Sequence, residues 1–271
     1  MKLNFRLFAL FLIVSGLLAS CKPDPIPEPE PVTPVNPNPN PTPVPTGNAI
    51  CISFENFVGN DPLILDQQLR YMNLNGDSFS VEIYKYYISN IAFTDNLGNT
   101  WYEPESYHLI NAADTNSFKV YVDSMPAGNY TGVSFMIGVD STRNVSGTQS
   151  GALDPANGMF WTWSSGYIMA KMEGRSPSST TSFDLVVVHI GGFAGQYAGQ
   201  RWAIPSFGAS TAVVTANTVP KIHMKSDLNE WFQTPYAIDF SSSSNISTPG
   251  NMSVGIADNY MDMFTITGIE N

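Results

Sequence analysis

Apolar residues recur at every second position over most of the chain, and the helical 3.6-residue period is scarce. Phe79, Val81 and Ile83 alternate cleanly with polar neighbours, and Val133, Phe135, Ile137 and Val139 share one face. The pattern predicts strands over residues 49–57, 67–72, 79–93, 117–122, 130–139, 167–173, 183–189, 214–224 and 263–269. Turn signals at Asn75-Gly76, 96–99 and 126–129 separate several of them. Both faces carry bulk between Tyr84 and Phe93, so the inward face there is undecided, and Pro220 interrupts the strand at 214–224. One short helix is expected over 227–232, where Asp227 and Glu230 have the spacing of a capping box. Short strands with variable loops predict an all-β fold, an antiparallel β-sandwich with long loops. An open barrel satisfies the same alternation.

The first 46 residues break this pattern. Lys2 and Arg6 precede an apolar run, residues 7–18, that is too short for a convincing membrane span. Leu18-Ala19-Ser20-Cys21 then has the form of a bacterial lipobox, which makes Cys21 the lipidation site and residues 1–20 the signal peptide. From residue 21 to 46 the chain reads as a tether, with eleven prolines between Pro23 and Pro45. Such a stretch favours extended polyproline II, and residues 22–46 would span at most roughly 75 Å. Residues 47–271 remain for one domain. These signals place the chain in the bacterial cell envelope, as an outer-membrane lipoprotein facing the periplasm or the surface, held to the membrane by its lipid.

Charge narrows the partners. The chain has 12 basic and 23 acidic residues, a formal net charge of −11. Signal cleavage removes Lys2 and Arg6 and takes it to −13. That balance disfavours nucleic acid and anionic lipid as binding surfaces. Lipidation of Cys21 leaves Cys51, in the apolar stretch AICISF, without an intrachain partner, so it reads as a buried structural thiol.

The candidate chemistry is sparse. Trp161 and Trp163 stand two residues apart among Gly, Ser and Asn, with Met159 beside them; they form either a packed corner or the lining of a site. His108, His189 and His223 are the three histidines. Imidazoles suit copper, but only folding could assemble these into a site. The alternation Phe183, Leu185, Val187, His189 points His189 to the side of three large apolar residues, and His189 with His223 is the leading metal pair. Hydrogen-bonded structural histidines are the plainer reading. Asp140, Asn144, Asp154 and Asn157 supply oxygens that would suit calcium, without EF-hand spacing; turn and cap roles explain them as well. No G-x-S-x-G elbow, dinucleotide fingerprint or P-loop is present, so a non-catalytic role is expected.

Several longer pieces together are similar to the MbnP family, named for a periplasmic copper-associated protein of methanobactin systems. They are KYYISNIAF at 85–93, SYHLINAAD at 106–114, PAGNYTGVSFMIGVD at 126–140, GALDPANGMFWTWSSGYIMAKMEG at 151–174 and HIGG at 189–192. The resemblance implies an envelope β-sandwich, copper as ligand, and a partner that is a di-haem peroxidase-like or metal-uptake protein. Some relatives bind copper with histidines and an oxidised tryptophan. Here neither Trp161 nor Trp163 is followed two residues later by histidine. The rival reading is a glycan-recognition or adhesion module with exposed rings around Trp101, Trp161 or Trp202. A structural accessory lipoprotein is the third.

Overall fold

The computed structural model describes residues 44–162 and 165–271. The signal segment, Cys21 and most of the tether lie outside the described residues, as does Trp163. The main strands are β1 (Ile50–Val58), β2 (Ile83–Asp95), β3 (Tyr107–Asn111), β4 (Lys119–Val122), β5 (Gly128–Ile137), β6 (Ala170–Arg175), β7 (Leu185–Ile190), β8 (Arg201–Ala203), β9 (Lys221–Asp227) and β10 (Phe264–Glu270). Two α-helices, α1 (Ser141–Asn144) and α2 (Asn251–Tyr260), interrupt them.

The strands form two principal sheets. In the smaller, β10, β9 and β1 lie side by side and β4 flanks β1. In the larger the order is β8–β5–β2–β6–β7, with β3 also on β2. Most pairings are antiparallel. The exceptions are β1 with β9, and β7 with the short strand Asn245–Ile246. A parallel neighbour needs a long crossover rather than a hairpin, and most of the chain separates β1 from β9. The fold is all-β and sandwich-like, as the alternation predicts.

Alternation decides what enters the core. Ile50, Ile52 and Phe54 of β1 and Ile222 and Met224 of β9 face Tyr84, Tyr86, Phe135, Met172 and Val188 of the larger sheet. Phe54, Phe135 and Phe264 meet edge to face, with ring centroids 5.0–6.4 Å apart. Each such buried side chain contributes about 1.5–3 kcal/mol of transfer free energy. Cys51 on β1 is buried and free, and burial pushes its thiol above the ordinary range.

The bulk on both faces of β2 has a physical cause. Tyr86 enters the main core, whereas Tyr87 points the other way into a second apolar cluster with Val139, Leu153, Met159, Tyr167 and Met169. The loop between β5 and β6 lies over the outside of the larger sheet and buries it there. Tyr87 and Tyr167 donate to the carbonyls of Ala152 and Leu153, which pins the loop down.

Several expectations need correction. Residues 67–72 form a strand only at Tyr71–Met72. The stretch 214–224 splits into Ala212–Val214 and β9, because Pro220 supplies no N–H for a continuous ladder. Phe183 is not on a core face: it has positive φ and is 81% exposed. The buried set of β7 is Val186, Val188 and Ile190, which turns Leu185, Val187 and His189 outward. The segment at 227–232 is a 3-10 helix, Leu228–Phe232, and Asp227 caps it by accepting from Asn229 N. Helix α2 was unforeseen. Gly255 and β-branched Val254 weaken its propensity, and burial of Ile256, Ala257 and Tyr260 holds it instead.

Candidate functional site

The three histidines occupy three separate surroundings. His223 alternates with core-facing Ile222 and Met224, so it lies on the outer face of the smaller sheet. There its Nδ1 lies 3.2 Å from Glu55 and its Nε2 2.8 Å from Glu270. His189 lies on the outer face of the larger sheet, with Nε2 2.8 Å from Glu173. His108 pairs with Ile88 in register, on the core side of the sheet margin, and meets Glu103 at 2.9 Å. The main core separates His189 from His223, so the expected joint site is not formed. Among the described residues, no three His, Cys, Asp or Glu side chains are grouped to hold a metal ion.

What the fold does bring together is Trp161 and Gly191, two residues beyond His189. Strand β7 ends at Ile190, and the chain continues through Gly191 and Gly192. Gly191 has no side chain, and Trp161 fills that space. A Cβ built on Gly191 would stand 2.2 Å from Trp161 Cζ3. The first glycine of HIGG is therefore explained by close approach of an indole, and the second, Gly192, by its positive φ and the nearby Tyr197 carbonyl. Met159 is fully buried in the second cluster, so its thioether is packing rather than a lining group. The other thioether at this end, Met169 Sδ, accepts from Val139 N at 3.2 Å.

Register sets the charge beside His189. Lys85, Lys171 and His189 are direct cross-strand neighbours on β2, β6 and β7, and all three face outward. Glu173, two residues along β6, accepts from Lys171 at 3.0 Å and meets His189. Burial favours neutral imidazole and lowers the His189 pKa against the pull of Glu173. Burial works to raise the Glu173 carboxyl, but hydrogen bonds from Lys171 and His189 hold it below its ordinary value. Burial, then Lys171, lowers the Lys85 ammonium.

The oxygen-rich loop is occupied with itself. Asp140 caps α1 by accepting from Arg143 N and also accepts from the Tyr107 hydroxyl. Asn144 accepts from Tyr167 N at 2.8 Å and donates to Val139 O at 2.7 Å. Asp154 caps the turn at Pro155–Asn157, and Asn157 donates to Gly151 O and Ala152 O. These four side chains build the loop and do not converge as a calcium shell.

A model of the MbnP family matches residues 47–253. The chain belongs to the MbnP family. A solved structure, MbnP from Methylosinus trichosporium, is similar over 75% of this chain and 81% of that one, with 12% identity and a TM-score of 0.47. No curated protein matches. In this MbnP-family domain, Lys85, Lys171 and Glu173 escaped the sequence reading. No local motif marks them, because only strand register makes them neighbours of His189.

As a copper contact, the corner offers two adjacent donors, His189 and Glu173. Imidazole and carboxylate suit Cu(II), and the face is reachable, with the His189 side chain 15% and Glu173 31% exposed. Lys171 shares the carboxylate. Two donors, one of them already shared with Lys171, fall short of a closed metal centre.

Proposed function

We propose that this chain is a non-catalytic, envelope-anchored MbnP-family protein whose working face is the His189–Trp161 corner, and that it handles copper there. The His189–Glu173 pair, with Trp161 packed on Gly191 two residues further along the chain, carries this reading. The donor pair suits passing the metal to a partner, either a di-haem peroxidase-like protein that performs the redox step or a metal-uptake protein. Residues 1–20 are the signal, Cys21 the lipid anchor and 21–46 the spacer. Titration with Cu(I) and Cu(II) tests the site. His189→Ala abolishes binding and His223→Ala leaves it intact; equal binding in wild type and His189→Ala overturns the assignment.

A second reading has its own observation. Trp202 on β8 is 49% exposed and Ile204 77% exposed. They border a groove of about 470 Å³ with Met261, and Ser206, Asp262 and Thr265 form its polar rim. An open indole beside hydroxyl and carboxylate groups suits stacking and hydrogen bonding of a sugar ring, as a glycan-recognition module requires.

A further inference from the structure

We propose that the cross-strand pair Lys85–Lys171 is an anion site that takes a carboxylate group. The chain has only 12 Lys and Arg, yet two lysines stand directly opposite each other on adjacent strands. Like charges in that position destabilise a sheet. His189 lies on the other side of Lys171. The Lys171 side chain is only 15% exposed, which weakens screening by water.

The neighbouring protein groups leave positive charge in the pair. Glu173 is the carboxylate beside it, shared between Lys171 and His189. Lys85 Nζ donates to Asn157 O at 2.9 Å, and Lys171 Nζ reaches Gly158 O at 3.5 Å. Those carbonyls orient the ammonium groups and seat the loop, but they are neutral. Two ammonium groups against one carboxylate leave one charge to be matched, and each ammonium has three N–H donors. A carboxylate meets both requirements with charge-assisted hydrogen bonds. The inference goes beyond the copper reading, because its ligand is an anion held by the two lysines and not a metal ion held by His189 and Glu173.

Acetate and glucuronate are the probes, each titrated against the intact protein at constant ionic strength, with sodium chloride as reference. Lysine and histidine NMR shifts and the melting temperature are followed. Both carboxylates should shift the Lys85 and Lys171 signals and raise the melting temperature above the chloride reference. Tighter binding of glucuronate than acetate assigns the ligand to an acidic sugar, and equal binding to a free carboxylate. Lys85→Met and Lys171→Met should each weaken binding by at least about tenfold, the loss of one charge-assisted contact, and Lys171→Arg should restore it. Unchanged folding of the variants is checked by circular dichroism. If chloride matches both carboxylates, or if both methionine variants bind like wild type, the proposal is overturned. Copper titration of the same variants keeps the readings separable, since copper depends on His189 and the anion on the lysines.

Discussion

The indole of Trp161 occupies the space that a side chain on Gly191 would need, with Cζ3 2.2 Å from the position of a Cβ there. Tryptophan and glycine lie thirty positions apart in the chain, and this contact fixes where the end of β7 meets the loop before β6.

Gly191→Ala therefore forces the indole away. Overpacking of this kind costs about 1–3 kcal/mol. Urea denaturation should show the loss, and Trp161 emission should shift to the red as the ring gains solvent. A variant as stable as wild type with unchanged emission would contradict the contact.

The loop has an acid-sensitive clasp. Burial acts to raise the Asp140 carboxyl, but the Tyr107 hydroxyl, the Arg143 amide and Asn90 hold it below its ordinary value of 3.8. A lowered folded-state pKa gives stability that is fully present above the unfolded value. That stability is lost as the pH falls through the lower folded value. Asp140→Asn should lower the melting temperature at pH 6 and lose less than wild type between pH 4 and pH 2. Parallel curves for the two proteins would contradict the clasp.

The exposed tryptophan on β8 gives the glycan reading a direct check. Trp202→Ala removes the open ring without touching the main core, so melting should change little. With the about 0.5–1.5 kcal/mol of an aromatic pair as the scale for a lost stacking face, affinity for a bound polysaccharide should fall several-fold. A glycan array on which metal-free and copper-loaded protein are both silent would remove that reading.

Much of the fold was legible because one face of each strand had to be apolar. Val133, Phe135 and Ile137 gave their inward side directly. Two kinds of feature were hidden. Where a strand is covered on both sides, as at Tyr86 and Tyr87, alternation cannot say which layer is the core. The same ambiguity placed His189 on the side of Phe183 as though that side were buried. The second kind depends on register. Lys85, Lys171 and His189 are more than a hundred positions apart at the extremes, and nothing local to any of them signals the row. Nor does the sequence reveal that a whole sandwich core stands between His189 and His223.

The most direct measurement follows the histidine side chains while Cu(II) is added. Paramagnetic copper broadens the NMR signals of the imidazole it approaches. The His189 ring signals should broaden first, followed by the Trp161 indole, while His108 and His223 stay sharp until copper is in excess. First broadening at His223 or His108, or equal broadening at all three, would contradict the assignment of the working face to the His189–Trp161 corner.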